Sequence, residues 1–185
     1  MNGPLLLLSN FLKNPLEVGA VAPSSKFLTR EIIESIDFKQ SRKIVELGPG
    51  SGVFTKEILN NASYDTKLFC FEVNKKFCSY LTKKIKDDRI RIINAGAESI
   101  SANLKSRRLQ EVGCIVSGLP FGNFSGSKKR KILREVRNSL SKGGRFVLFQ
   151  YTNGLKDLLE SYFEIVERKF VPLNVPPAFV YVCRK

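Results

Sequence analysis

From residue 43 onward, short apolar runs alternate with stretches in which apolar and charged residues recur at helical spacing. Five of these runs have the length and composition of buried β-strands, and they cover residues 43–47, 67–72, 89–94, 113–117 and 145–151. Strands that alternate with amphipathic helices are typical of a mostly parallel sheet covered by helices on its faces. The pattern therefore predicts an α/β fold.

The helices are predicted from the same periodicity. Residues 75–86 carry apolar side chains on one face and lysines on the other. A second helix is predicted over residues 128–140, with Ser125 or Ser127 as its N-cap. We expect the sequence Lys142-Gly143-Gly144 to end it.

The sequence over residues 155–183 predicts a change in strand direction. A helix is expected over residues 155–162, followed by strands over residues 164–170 and 178–183 that are joined through three prolines. A connection this short favours an antiparallel pair. Added to the five strands above, this pair predicts a seven-stranded, mostly parallel sheet with an antiparallel last strand.

Two segments precede the sheet. Residues 5–14 are largely apolar and carry a single charge, so they fit either a membrane interface or a lid over a ligand pocket. Ser24 and Ser25 have the character of the N-cap of a helix that runs to about residue 36. We therefore divide the chain into N-terminal helices over residues 1–40 and one further domain over residues 41–185.

Composition excludes several kinds of chemistry. Histidine is absent from the 185 residues, which rules out Ser-His-Asp and Cys-His nucleophilic catalysis and the two-histidine metal motifs. The four cysteines form no C-x-x-C pair, so we expect neither a metal site nor a disulfide framework, and a reducing cytoplasm fits best.

The net charge indicates which kind of surface the protein binds. The 31 Lys and Arg against 17 Asp and Glu give a net charge of +14, which predicts attraction to nucleic acid or to anionic lipid. No apolar run approaches the roughly 20 residues that a membrane-spanning helix needs.

The strongest local signal is a glycine-rich loop directly after the first strand. Glu46 is followed by glycines at positions 48, 50 and 52, and glycines there allow a sharp turn and close approach to a ligand. A dinucleotide site would need G-x-G-x-x-G, and Val53 occupies its third glycine position. Glu46 would repel a pyrophosphate but suits a cationic amino-acid group. Glu72, at the end of the next strand, can bind both hydroxyls of a ribose.

With these residues, the chain resembles the class I S-adenosylmethionine-dependent methyltransferases, whose Rossmann-like fold carries the motif E/D-x-G-x-G-x-G and an acidic residue at the end of the second strand. The resemblance implies that S-adenosylmethionine is the cofactor and S-adenosylhomocysteine its product. It also implies a set of cofactor-binding residues: Ser24, Ser25, Glu46, Gly48, Gly50, Gly52, Glu72, Val73, Ala97, Glu98 and Ser117.

The third-strand segment departs from that family. Residues 94–98 read Asn-Ala-Gly-Ala-Glu where many relatives have Gly-Asp-Ala, so Gly96 replaces an aspartate that contacts the adenine amino group. We expect the backbone of Ala97 or the side chain of Glu98 to take over that contact.

A second motif follows the fourth strand. Ser117-Gly118-Leu119-Pro120-Phe121 resembles the N/D/S-P-P-Y loop of amino-group methyltransferases, in which a main-chain carbonyl and a polar side chain hold the acceptor nitrogen. The rRNA adenine dimethylases have Asn-Leu-Pro-Tyr, and Gly118 stands in place of their asparagine, which disfavours adenine. We predict that Ser117, Gly118, Leu119 and Pro120 form the catalytic loop, with Tyr151 as a hydroxyl near the amine.

Several stretches indicate a narrower resemblance. Residues 18–25, 149–151 and 174–181, together with the Ser-Gly-Leu-Pro loop, are similar to the small bacterial phospholipid N-methyltransferases that methylate phosphatidylethanolamine. Members of that family are peripheral membrane enzymes. The resemblance implies an anionic phospholipid membrane as partner and a place on the cytoplasmic face of the membrane.

The sequence thus predicts an N-methyltransferase that acts on the amine headgroup of phosphatidylethanolamine or a related aminolipid. The alternative is an RNA adenine N6-methyltransferase, with nucleic acid as the partner. Gly118 and the lack of a downstream RNA-binding segment favour the lipid, whereas the basic charge does not discriminate. A third reading, a cofactor-binding protein without catalysis, would rest on Gly96.

Overall fold

The computed structural model describes residues 25–109 and 111–185, and these residues form seven strands and six α-helices. The strands are β1 (Lys43–Leu47), β2 (Lys67–Phe71), β3 (Ile90–Ile93), β4 (Val112–Ser117), β5 (Leu140–Gln150), β6 (Glu164–Val171) and β7 (Ala178–Arg184). The helices are α1 (Lys26–Glu34), α2 (Val53–Asn61), α3 (Lys75–Lys84), α4 (Ile100–Ser106), α5 (Gly126–Ser139) and α6 (Lys156–Glu160).

The strands form one sheet in the order β3-β2-β1-β4-β5-β7-β6. All neighbouring pairs from β3 to β5 are parallel, and β7 runs antiparallel to both β5 and β6. This confirms the predicted Rossmann-like α/β fold with its antiparallel last strand. The chain moves outward from β1 to β3 and then returns to β4, so the strand order reverses between β1 and β4. In such sheets, ligands bind at the carboxyl ends of the strands at this point.

Two apolar layers hold helices on opposite faces of the sheet. On one face, Leu28 and Ile32 of α1 and Ile58 of α2 are fully buried against the strands. On the other face, α4 and α5 cover the sheet through the equally buried Ile100 and Leu133. Burial of an aliphatic side chain of this size stabilises the fold by roughly 1.5 to 3 kcal/mol.

Most predicted boundaries agree with the structure within a few residues, but the start of β5 and the role of the two glycines after α5 were predicted wrongly. The helix begins after its N-cap Ser125, as expected, and ends at Ser139. Strand β5 starts at once and runs through Gly143 and Gly144, which therefore do not terminate the helix. The reason is tertiary: Leu140 is fully buried and pairs with Val112 of β4, which draws the chain into the sheet earlier than local sequence indicates.

The N-terminal prediction is only partly covered by the structure. The side chain of Ser25 caps α1 by accepting a hydrogen bond from the backbone N–H of Leu28 at 3.2 Å. Ser24 and the apolar segment over residues 5–14 lie outside the described residues. Within the described part of the chain, no helix has the length and apolar character needed to cross a membrane.

Candidate active site

The site is built where the loops after β1 and β4 meet. The backbone N–H of Gly48 donates to the carbonyl of Phe71 at 2.9 Å, and that of Gly118 donates to the carbonyl of Leu47 at 2.9 Å. A Cβ atom on Gly118 would lie 3.0 Å from the carbonyl oxygen of Gly48. The glycine loop and the acceptor loop are therefore in direct backbone contact.

The glycine loop needs glycine for two different reasons. Gly48, Gly50 and Gly52 all have positive φ angles, of 70°, 54° and 82°, a region that other residues rarely adopt. At Gly52 a Cβ atom would also lie 2.6 Å from Cδ2 of Leu81, so helix α3 packs too closely for any side chain. At Gly50 no atom from other parts of residues 25–109 and 111–185 lies within 4 Å of that position, so among these residues the middle of the loop faces open space.

Glu72 ends β2 and connects it to the glycine loop. One carboxylate oxygen accepts from the backbone N–H of Gly50 at 3.3 Å and the other from that of Asn74 at 2.8 Å. The residue is only 7% exposed, whereas the neighbouring Val73 is 71% exposed. A fixed carboxylate next to an exposed apolar side chain suits a ligand that has both hydroxyl groups and a flat apolar ring.

Glu98 occupies the space beside Gly96. A Cβ atom on Gly96 would lie 2.5 Å from a carboxylate oxygen of Glu98. The carboxylate of Glu98 therefore occupies the space that the side chain of an aspartate at position 96 would need. Lys128 pairs with Glu98 at 2.9 Å. Partial burial raises the pKa of Glu98, but the hydrogen bond from Lys128 and further positive charge outweigh burial and hold the pKa below its ordinary value. The carboxylate is therefore ionised and can accept hydrogen bonds.

Glu46 lies deeper, beneath the start of α2. Its Oε2 atom accepts from the hydroxyl of Thr55 at 2.6 Å and lies 3.4 Å from the sulfur of Cys70. Within the described ranges, its Oε1 atom has no hydrogen-bond partner. Burial raises the pKa of Glu46 to about 7; the bonds to Thr55 and Cys70 oppose this shift and the charge of Glu72 adds to it.

The acceptor loop borders a pocket at the ends of β4 and β5. Ser117 is fully buried, and its hydroxyl accepts from the backbone N–H of Leu119 at 3.2 Å, which fixes the start of the loop. The pocket joins this loop to the end of β5 and is lined by Gly118, Leu119, Pro120, Gly122, Phe149, Gln150, Tyr151 and Thr152. The structure thus brings the predicted residues of positions 117–120 and Tyr151 to one place.

Tyr151 is held from two sides. Its ring packs edge-on against Phe149, with ring centroids 5.6 Å apart. Burial raises the pKa of the Tyr151 hydroxyl, and the side chain of Asn174 lowers it in part. Asn174 also accepts from the backbone N–H of Ser25 at 2.9 Å, so the start of α1 is fastened to the β6–β7 turn beside the pocket.

Sequence reasoning missed two residues of this site, Gln150 and Asn174. Both are buried polar residues that hold the backbone of neighbouring loops. A signal existed for Gln150, since a polar residue at the carboxyl end of an otherwise apolar strand lies at the ligand edge of a parallel sheet. No comparable signal existed for Asn174, which lies in an irregular stretch between prolines.

A protein-family model matches most of the chain. The family model described as ribosomal RNA adenine dimethylase matches residues 23–137, which is well over half of the chain.

Among curated proteins, the chain is similar to relatives with two kinds of substrate. It is 28% identical over 181 residues to the ornithine lipid N-methyltransferase of Singulisphaera acidiphila, covering 97% of this chain and 94% of that protein. It is 33% identical over 121 residues to ribosomal RNA small subunit methyltransferase A of Mesomycoplasma hyopneumoniae, covering 65% of this chain but 41% of that protein.

Solved structures of low sequence identity share the fold. N-methyltransferase NodS from Bradyrhizobium japonicum, in complex with S-adenosylhomocysteine, superposes with a TM-score of 0.72 at 12% identity, covering 100% of this chain and 99% of NodS. The 1,6-didemethyltoxoflavin-N1-methyltransferase of Burkholderia thailandensis gives a TM-score of 0.74 at 13% identity, covering 98% and 88% of the two chains.

Proposed function

This chain belongs to the ribosomal RNA adenine dimethylase family and is an S-adenosylmethionine-dependent N-methyltransferase, and from this premise we propose that its acceptor is the amine of an aminolipid headgroup. The proposed acceptors are phosphatidylethanolamine and ornithine lipid. The reaction forms a bond from the amine nitrogen to the methyl carbon while the bond from that carbon to the sulfonium sulfur breaks.

The residues at the sheet edge fit the cofactor. We assign the ribose hydroxyls to the fixed carboxylate of Glu72 and the adenine amino group to Glu98 with the backbone of Ala97. The space that the described residues leave open in front of Gly50 receives the methionine portion, and the unpartnered Oε1 of Glu46 is a hydrogen-bond acceptor below it. When bound, the cofactor supplies an electrophilic methyl group.

The choice of a lipid amine rests on the acceptor loop. A flat base with an exocyclic amine is normally held by an asparagine at position 118, and Gly118 has no side chain. The carbonyl of Gly48 would also lie 3.0 Å from a Cβ atom there, which disfavours any larger residue. A flexible headgroup amine needs no such flat slot. Similarity over 97% of the chain to an ornithine lipid N-methyltransferase supports the same choice.

The surface around the pocket supports a peripheral position on the cytoplasmic face of an anionic membrane. Leu173 and Val175, in the β6–β7 turn, are 61% and 82% exposed, and Asn174 between them contacts Tyr151 of the pocket. Residues 168–185 contain no Asp or Glu. Exposed apolar tips without acidic neighbours suit insertion between anionic headgroups.

The alternative, N6-methylation of adenine in RNA, is favoured by the family match and by the rRNA methyltransferase relatives. The chain spans about two fifths of the length of those relatives.

The experiment that tests the proposal supplies labelled S-adenosylmethionine with one acceptor at a time. The acceptors are phosphatidylethanolamine vesicles, ornithine lipid vesicles and small-subunit rRNA. Each acceptor is incubated once with the wild type and once with the Glu72→Ala variant. We expect label in a lipid headgroup with the wild type and none with the variant. Label in rRNA alone would establish the alternative.

A further inference from the structure

We infer that Gln150 supplies the side-chain amide oxygen that Gly118 lacks, and that its Oε1 atom accepts a hydrogen bond from the acceptor amine. The inference deepens the proposed function and rests on it. Gln150 is the last residue of β5, is 7% exposed, and lines the same pocket as the acceptor loop.

The contacts of Gln150 fix which way its amide points. Nε2 donates to the carbonyl of Leu119 at 3.1 Å and to that of Phe149 at 2.6 Å. Two carbonyls around one atom identify it as the NH₂ group, because a carbonyl can only accept. Oε1 is therefore turned away from both carbonyls, and within the described residues no donor is bonded to it.

The contacts of Leu119 explain why another acceptor is needed. Its carbonyl accepts from Gln150 and also from the backbone N–H of Phe121 at 2.9 Å. A carbonyl oxygen has two lone pairs, so this one is fully used and cannot hold an amine as well. The carbonyl of Leu119 is thus occupied, and the side chain of Gln150 offers a free oxygen beside it.

The packing of Gly118 explains why the oxygen comes from a different strand. A side chain at position 118 would press on the carbonyl of Gly48, which belongs to a loop fixed by its own backbone bonds. β5 lies beside β4 in the sheet, and Gln150 reaches across from its end to the same loop. The amide is supplied from the neighbouring strand without displacing the glycine loop.

This arrangement makes a chemical prediction that a purely structural role does not share. A neutral primary amine has a lone pair and two N–H groups, and a bond from one N–H to Oε1 orients the lone pair for attack. In each transfer the lone pair forms a bond to the methyl carbon, and the bond from that carbon to the sulfonium sulfur breaks and leaves a thioether. The methylated ammonium then gives one proton to water, so that one hydrogen is replaced by a methyl group. A monomethyl amine still has one N–H to donate, whereas a neutral dimethyl amine has none.

The test compares Gln150→Met with the wild type on vesicles of phosphatidylethanolamine and of its monomethyl and dimethyl derivatives, each mixed with anionic lipid. We expect kcat/KM to fall by about 10- to 100-fold on the first two acceptors, as for loss of one positioned polar group. On the dimethyl acceptor the change is expected to stay within about twofold, because no hydrogen bond is lost there. Where the wild type makes no third transfer, the dimethyl lipid is measured as a competitive inhibitor at alkaline pH.

One control and two contrary outcomes make the test decisive. Gln40→Met makes the same chemical change at an exposed position and should leave all three rates unchanged. An equal loss on all three acceptors would overturn the role of Gln150 but leave the proposed function intact. A wild-type enzyme that methylates none of the lipids would overturn both.

A second variant covers the case in which Gln150→Met does not fold, judged by S-adenosylhomocysteine binding. Gln150→Glu keeps an oxygen at the site and adds negative charge, which stabilises the ammonium form of the bound amine. We expect the pH profile of kcat to move to higher pH. An unshifted profile would contradict contact between this side chain and the amine.

Discussion

Glu46 and Glu72 show how two carboxylates at neighbouring strand ends acquire different properties. Glu72 accepts two backbone N–H groups at the sheet edge, whereas Glu46 is buried under α2 with one oxygen unpartnered. Their sequence positions, each at the end of an apolar run, were enough to predict that both lie near the same edge of the sheet. The surroundings were not predictable, because Thr55 and Cys70 reach Glu46 only through the packing of α2 and β2.

We predict that Glu72→Ala weakens binding of both S-adenosylmethionine and S-adenosylhomocysteine by roughly 2 to 3 kcal/mol, through loss of charge-assisted bonds to the ribose. Calorimetry measures this directly. Glu111→Ala serves as the matched control, because it removes an exposed carboxylate that directly precedes the first residue of β4. Equal affinity in the wild type and Glu72→Ala would remove the ribose assignment.

The raised pKa of Glu46 predicts a pH dependence of stability. Because the folded-state pKa of Glu46 is about 7 and the ordinary pKa of a glutamate is about 4.5, the folded state binds this proton more tightly than the unfolded state does. The contribution is fully present below about pH 4.5 and is lost as pH rises through about 7. In Glu46→Gln, the free energy of unfolding should fall less between about pH 5 and pH 8 than it does in the wild type. Denaturant titrations across this pH range measure the difference. If the free energy of unfolding fell equally in Glu111→Gln and in Glu46→Gln, protonation of Glu46 would not be the cause of the pH dependence.

At the scale of elements, the loops after β1 and β4 carry the site, and their contact sets its geometry. Glycine spacing predicted the first loop, and Gly-Leu-Pro after an apolar run predicted the second. Their backbone contact at Gly48 and Gly118 joins residues far apart in sequence, so no local pattern could predict it. The same limit explains the wrong start predicted for β5, where pairing of Leu140 with β4 draws the strand through two glycines.

The contact predicts the effect of the smallest possible side chain. Gly118→Ala places a methyl group 3.0 Å from the carbonyl of Gly48, so the loops must separate. We expect the free energy of unfolding to fall by about 1 to 3 kcal/mol, the range for overpacking, together with weaker cofactor binding. Gly154→Ala is the matched control, since no atom from elsewhere in the described part of the chain lies within 4 Å of its Cβ position. Unchanged stability and cofactor affinity in Gly118→Ala would show that the loops are not tightly coupled.

At the scale of the whole molecule, a single sheet of seven strands places cofactor groups, acceptor loop and exposed apolar turn along one edge. Alternation of strands and helices was enough to predict this architecture. The exposed position of Leu173 and Val175 was not predictable, because an apolar residue in a short stretch between prolines reads equally well as core. The net charge of +14 acts over the whole surface rather than at one residue.

Charge and exposed turn together predict how the protein associates with membranes. Vesicle binding should require anionic lipid and weaken as salt shortens the Debye length. A variant with Leu173→Ser and Val175→Ser should bind several-fold more weakly, because apolar area no longer enters the interface. Val166→Ser changes an exposed valine in the middle of β6 and is the matched control for sedimentation with vesicles. Equal binding to neutral and anionic vesicles at every salt concentration would argue against a membrane partner.

The central claim is that this N-methyltransferase acts on a lipid amine. The most direct measurement expresses the wild type and Glu72→Ala in a bacterium that makes phosphatidylethanolamine and ornithine lipid but no methylated forms of either. Mass spectrometry is then applied to the lipids and to the small-subunit rRNA of the same cells. The account predicts methylated headgroups with the wild type alone and unchanged adenine methylation. New N6-methylated adenine together with unmodified lipid headgroups would contradict it.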